Sequence, residues 1–174
     1  VPGRLRFDVL VIGSGASGLA AALAANRAGA RVCLATKGAL QSCNSAKAQG
    51  GIQAAVGEDD SPAIHAEDIW QSSHETADRR LVEVLTSEAP AAISWLEQHG
   101  VAFSHQNGSY RLARCGGASR KRLLQVGDRT GHAITTALRD AVEATTVATL
   151  PHHPLAALRR REAGFTATCR PKGG

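Results

Sequence analysis

The spacing Gly13-Ser14-Gly15-Ala16-Ser17-Gly18 constrains this chain more than any other feature. Val9-Leu10-Val11-Ile12 leads into it and Leu19-Ala20-Ala21-Ala22-Leu23 leads out, so the order reads as strand, tight turn, helix. In such a turn Gly13 permits the reversal, Gly15 lets a pyrophosphate approach the main chain, and Gly18 lets helix and strand pack closely. The free amides and positive end of a helix starting near Ala16 then face bound phosphate. The structural alternative is a glycine turn without a ligand.

The flanking pattern predicts a βαβ unit. Phe7 to Ile12 is the first strand, apolar throughout as suits a parallel strand covered on both faces. A helix carrying Leu19, Leu23 and the intervening alanines ends near Ala28-Gly29, where Gly29 takes a left-handed cap. Arg31 to Ala35 is the second strand, and Asp8 to Thr36 has the length of about 30 residues that a dinucleotide-binding unit needs. The acid that accepts ribose hydroxyls at the end of the second strand is missing, because the chain reads Ala35-Thr36-Lys37. That weakens an NAD-binding reading, although the Thr36 hydroxyl can still bond a ribose.

Composition narrows the class. The 174 residues are 43% apolar and 20% charged, with no apolar run reaching the roughly 18 residues of a membrane span. No basic segment followed by a long apolar region opens the chain, so no secretion signal is expected. Aromatic residues make up 3%, too few for base-stacking platforms, and the net charge of +5 includes two short clusters, Arg120-Lys121-Arg122 and Arg159-Arg160-Arg161. These read as solvated or anion-facing surface, not a nucleic-acid interface. Cys33, Cys43, Cys115 and Cys169 lack metal-knuckle spacing, and His152-His153 is the one adjacent histidine pair; reduced thiols in a cytoplasmic setting and no metal site are expected.

Further along, Gly38 to Gly57 is rich in small residues and reads as a long loop, in which Gly50-Gly51 lets a flat ring lie close to the backbone. Glu58-Asp59-Asp60-Ser61-Pro62 opens a helix with Ser61 as cap, Pro62 at the first position, and Ile64, Ile69 and Trp70 inward. The three acids complement the helix dipole. A second helical pattern runs from Asp78 to Gly100 with a kink expected at Pro90. Val101-Ala102-Phe103 reads as a strand and Gln106-Asn107-Gly108-Ser109 as a hairpin turn. Thr130 is the expected cap of a helix bearing Ile134, Leu138 and Val142. Thr146 to Leu150, Pro154 to Leu158 and Phe165 to Cys169 look like strands of a β layer, after which no closing element follows.

Several of these stretches together resemble one family, the flavoprotein subunits of succinate dehydrogenase and fumarate reductase with L-aspartate oxidase. Asp8 to Leu19 is similar to its FAD-binding start. Ala35-Thr36-Lys37 resembles its second-strand end, where Thr or Ser followed by Lys replaces the acid. Ala48-Gln49-Gly50-Gly51-Ile52 resembles the loop beside the flavin, and Asp128-Arg129-Thr130-Gly131-His132-Ala133 a motif of the dehydrogenase branch. The resemblance implies an α/β, Rossmann-like FAD-binding domain with a parallel sheet and an added β layer. Residues 1–174 would be the N-terminal portion of a longer family chain, with the capping domain and its catalytic arginine lying outside it.

The implied activity is FAD-dependent hydride transfer with a four-carbon dicarboxylate such as succinate or fumarate, or with its amino analogue aspartate. Gly13, Gly15, Ala16, Ser17 and Gly18 would hold the pyrophosphate, Thr36 and Lys37 the adenosine, and Ser45, Gln49, Gly50 and Gly51 the flavin ring. Gly116, Gly117 and Ser119 would border substrate. Two departures stand out. Asn44 occupies the position of the histidine that many members bond covalently to FAD, so dissociable FAD is implied. Cys115 replaces the phenylalanine of dehydrogenases and the glutamate of aspartate oxidases. An iron–sulfur electron-transfer subunit is the implied macromolecular partner of the dehydrogenase branch, holding a cytoplasmic protein at the inner membrane face without a span of its own. The reading of another class is an FAD- or nucleotide-binding fragment without turnover.

Overall fold

In the computed structural model, which describes residues 4–171, the elements follow one another as β1 (Val9–Ile12), α1 (Ala16–Arg27), β2 (Val32–Ala35), α2 (Asn44–Lys47), β3 (Ile52–Gln53), α3 (Pro62–Ser72), α4 (Arg79–Gln98), β4 (His105–Gln106), β5 (Ser109–Tyr110), β6 (Leu123–Leu124), α5 (Thr130–Glu143), β7 (Ala148–Leu150), β8 (Leu155–Arg161) and β9 (Gly164–Cys169). Parts of the expected lead-in at 1–6 and of the final segment lie outside the described residues. The chain divides into two units, Val1–Lys47 with Ile134–Gly174, and Ala48–Ala133.

The first unit is built on a parallel sheet in the order β1-β2-β7. Val9 faces Val32, Ile12 faces Ala35, and Ala35 also faces Leu150. The central strand β2 is buried along its whole length, as the unbroken apolar run requires. β1 departs from the expectation: it is an edge strand, with Leu10 37% and Ile12 47% exposed, so only its alternate side chains are covered. α1 packs on β1 and β2 through Leu19 and Ala22, both fully buried. It ends as expected. Gly29 takes φ +83°, its amide bonds the Asn26 carbonyl at 2.9 Å, and Ala30 N–H reaches the Ala25 carbonyl at 3.1 Å. In α5, Ile134, Leu138 and Val142 are buried on one stripe. Of the expected late strands, β7 joins the parallel sheet while β8 and β9 form a separate antiparallel hairpin. Arg159, Arg160 and Arg161 continue β8 and are exposed.

In the second unit α3 packs on α4, and β3 pairs antiparallel with β6, Ile52 facing Leu124. Ser61 caps α3 by accepting from Ile64 N–H at 3.3 Å, with Pro62 in the first turn. The buried residue of α3 is His65, whereas Ile64, Ile69 and Trp70 are half-buried. α4 starts at its Asp78 cap and runs through Pro90 as a single helix. Gly100 at φ +93° and a Val101 amide bond to the Leu96 carbonyl close it. Val101 to Phe103 is not a strand: Val101 and Phe103 are buried without a ladder, and pairing begins at His105. The hairpin turn is as read, with Asn107 and Gly108 both left-handed at φ +52° and +81°. Its Tyr110 hydroxyl donates to Glu97 Oε2 at 2.7 Å, and burial with that bond pushes the phenol up to about 12. Two local readings are corrected here. The 38–57 stretch contains α2 and β3 and is not one loop. The Thr130 hydroxyl accepts from the Val126 amide at 3.0 Å, so it ties down the preceding loop instead of capping a helix amide.

Candidate functional site

The first unit carries a cleft of about 450 Å³ where the glycine turn, the end of β2, the 42–44 segment and the 153–155 segment meet. The turn is sterically determined. Gly13 sits at φ +103°, and a Cβ on Gly18 would lie 2.0 Å from the Gly13 carbonyl oxygen, inside any possible contact. Glycine at 18 is thus demanded by the approach of α1 to the turn. A Cβ on Gly15 would stand 3.2 Å from Ser45 Oγ. That hydroxyl accepts from Ala16 N–H at 3.2 Å, which places Ser45 at the amino end of α1 beside the turn and 29 residues from it in sequence.

The end of β2 is tied to the same turn. Gly13 N–H donates to the Ala35 carbonyl at 2.8 Å, and Ser14 Oγ donates to Thr36 Oγ1 at 3.2 Å with both side chains buried. Lys37 is exposed beside them and forms no ion pair among the described residues. Ser17 is exposed on the first turn of α1. Asn44 opens α2 and lines the cleft with Ser42 and Cys43. His153, Pro154 and Leu155 complete the wall. The sequence pattern pointed to none of these last three, since only the β2–β7 pairing brings them here.

The second unit carries a cleft of about 410 Å³ that includes Gln49 and Gly50, together with Ser104, Arg111, Gln125, Gly127 and Asp128. Gln125 Nε2 donates to the Gly50 carbonyl at 2.8 Å. The two neighbouring glycines differ in kind. Gly50 is open, with free space where a side chain would begin, whereas Gly51 has φ +130° and a Cβ there would lie 2.5 Å from the Leu124 carbonyl oxygen. Gly51 is therefore required by the β3–β6 approach itself.

The loop holding Gly116, Gly117 and Ser119 is fastened to α3. Gly117 has φ +78°, and a Cβ there would stand 2.5 Å from Ser72 Oγ, which would have to rotate aside. Ser119 donates to Asp68 Oδ2 twice, from its amide at 2.8 Å and its hydroxyl at 2.9 Å. Asp68 in turn accepts from Arg122 Nη1 at 2.6 Å, and Asp60 holds the same guanidinium through two bonds of 2.7 and 2.9 Å. Arg122 is completely buried, which corrects the solvated reading of the 120–122 cluster for this residue. Asp60 likewise serves this pair as well as the helix start. Burial works against the Asp68 carboxylate, yet the Ser119 and Arg122 hydrogen bonds outweigh it and its pKa falls below the ordinary carboxylate range. His65 lies buried near this cluster with its Nδ1 lacking a hydrogen-bond partner among the described residues. No cluster of metal-ligating side chains occurs among the described residues, and none of their helices is long and apolar enough to cross a membrane.

The family model described as FAD binding domain matches residues 8–171. An L-aspartate oxidase from Nostoc sp. is 42% identical over 137 residues, covering 79% of this chain and 24% of that relative. One subunit of the fumarate reductase (CoM/CoB) of Methanothermobacter marburgensis is 37% identical over 140 residues, covering 78% of this chain and 26% of that protein. Among solved structures, the Mycobacterium smegmatis Sdh1 complex in the apo form superimposes with a TM-score of 0.86 at 28% identity, over 95% of this chain and 31% of that one. The chain spans about a quarter of the length of the curated relatives it matches.

Proposed function

Because the chain belongs to the FAD binding domain family, we propose that it is the flavin-holding portion of an oxidoreductase of the succinate dehydrogenase, fumarate reductase and L-aspartate oxidase type. The observation that carries the reading is the glycine turn: Gly18 admits no Cβ, and the turn opens into a cleft at the amino end of α1. The close packing that Gly18 permits sets the amino end of α1, with its free amides and positive dipole end, at the cleft, which is what a diphosphate requires.

Within that reading Gly13, Gly15, Ala16, Ser17 and Gly18 receive the pyrophosphate, and Thr36 and Lys37 stand by the adenosine. Ser45, Gln49, Gly50 and Gly51 face the flavin. Bound FAD supplies the two-electron chemistry, exchanging hydride with a four-carbon dicarboxylate or its amino analogue. The protein orients and shields. Gly116, Gly117 and Ser119 form the substrate-side edge, its shape held by Asp68 and Ser72. Asn44 supports dissociable FAD, since an amide nitrogen is not nucleophilic enough to bond the flavin. An iron–sulfur subunit is the proposed electron partner of the dehydrogenase form.

The test is flavin retention. The purified chain should keep a flavin spectrum through gel filtration and release all of it to the supernatant on acid precipitation. Gly15→Leu should lose the flavin while keeping the far-UV circular dichroism of the parent. Flavin in the acid pellet would overturn the dissociable cofactor, and unchanged retention by Gly15→Leu would overturn the pyrophosphate assignment. Dye reduction with succinate and L-aspartate, and fumarate reduction with a reduced dye, separate a catalytic chain from one that binds FAD without turnover.

A further inference from the structure

We propose that His153 supplies the hydrogen-bond acceptor for the adenosine ribose that the end of β2 lacks. The inference rests on the FAD reading above. A dinucleotide fold normally ends its second strand in a carboxylate that accepts from the ribose hydroxyls. Here the sequence offers Ala35-Thr36-Lys37. Lys37 carries only donors. Thr36 is only 6% exposed and its hydroxyl is engaged with Ser14 Oγ at 3.2 Å, so little of it is open to a ligand.

The tertiary structure brings a different acceptor to this place. β7 runs parallel to β2 with Leu150 beside Ala35, so the segments that follow the two strands leave the sheet at the same end. Three backbone bonds then zip them together: Thr36 N–H to the Leu150 carbonyl at 3.0 Å, His153 N–H to the Thr36 carbonyl at 2.8 Å, and His152 N–H to the Gly38 carbonyl at 3.0 Å. His152 adopts φ +59° to make the turn, a left-handed conformation that a non-glycine residue seldom takes. The half-buried His153 is thereby set in the wall of the cleft that holds Gly13, Gly15, Thr36 and Lys37.

The ring is also oriented. His153 Nδ1 stands 2.7 Å from the Pro151 carbonyl oxygen. A carbonyl can only accept, so Nδ1 carries the hydrogen and Nε2 of the neutral imidazole is an acceptor. That lone pair does what one carboxylate oxygen does for a ribose hydroxyl, without adding negative charge near a diphosphate.

The experiment measures affinity by flavin fluorescence on the full chain at pH 8, with FAD as ligand and ADP or 2′,3′-dideoxy-ADP as competitor. The wild-type chain should prefer ADP to the dideoxy analogue about 2- to 10-fold, the range of one net hydrogen bond. His153→Ala should weaken FAD by a similar factor and remove the preference, while His153→Gln, which retains an acceptor, should keep part of it. FAD binding by His153→Ala equal to wild type, or a wild-type chain indifferent to the ribose hydroxyls, would overturn the proposal while leaving the FAD reading intact. Failure of the wild-type chain to bind either FAD or ADP would instead sink the FAD reading, and this inference with it. Should His153→Ala not fold, His153→Phe, which keeps a ring but has no acceptor, takes its place with the same expected loss.

Discussion

Gly18 shows how much one missing side chain can dictate. Its Cβ would overlap a backbone oxygen and not a movable side-chain tip, so no rotamer change relieves the clash. Gly18→Ala should cost about 1–3 kcal/mol or more, read as a lowered denaturation midpoint, because the turn or α1 must shift. Gly13→Ala, which meets no atom but sits at φ +103°, should cost less, through backbone strain alone. The two residues look alike in sequence. Gly50 and Gly51 repeat the contrast: the adjacent letters are an open position and a packed one, and only the β3–β6 pairing tells them apart.

At the scale of elements, the buried Asp60–Arg122–Asp68 cluster joins the segment just before α3, the middle of α3 and the residue that leads into β6. Removing its cation would leave two carboxylates facing each other in a site with little water. Arg122→Met should therefore destabilise by about 3–5 kcal/mol in urea denaturation. Asp60→Asn combined with Asp68→Asn and Arg122→Met should recover much of that loss, because no buried charge then lacks a partner. The same cluster explains why the sequence reading of 120–122 went astray. A run of three basic residues normally means solvent, and Lys121 is exposed, but residue 122, immediately before β6, is buried. Asp60, 62 positions earlier, could not be named as its partner from spacing. Capping and turn chemistry fared better, since Ser61-Pro62, Gly29, Gly100 and Asn107-Gly108 act through neighbours in sequence.

For the molecule as a whole, pH provides a readout of the second unit. Burial first, and Arg122 beside it, lower the His65 pKa below its ordinary 6.5, while Asp60 and Asp68 pull the other way. A depressed folded-state value means that neutral His65 stabilises fully above the unfolded pKa, and that this stability is lost as pH falls through the folded one. Urea midpoints followed by tryptophan fluorescence should therefore fall from pH 7 to pH 5, and His65→Phe should flatten that slope. Both tryptophans, Trp70 and Trp95, lie within the 48–133 unit, so the signal reports the unit that holds His65. A slope unchanged by His65→Phe would remove His65 as its source. The sequence by itself determined what depends on neighbours along the chain: the strand, glycine turn and helix at 7–29, the helix caps, the hairpin, and motifs dense enough to place the family. Only the tertiary structure decided which distant groups meet, His153 at the end of β2, Ser45 at the start of α1, Asp60 and Asp68 around Arg122. The physical reason is that a cap or turn is satisfied within a few bonds, whereas an ion pair or cleft wall across tens of residues exists only after strand pairing and burial have brought its members together.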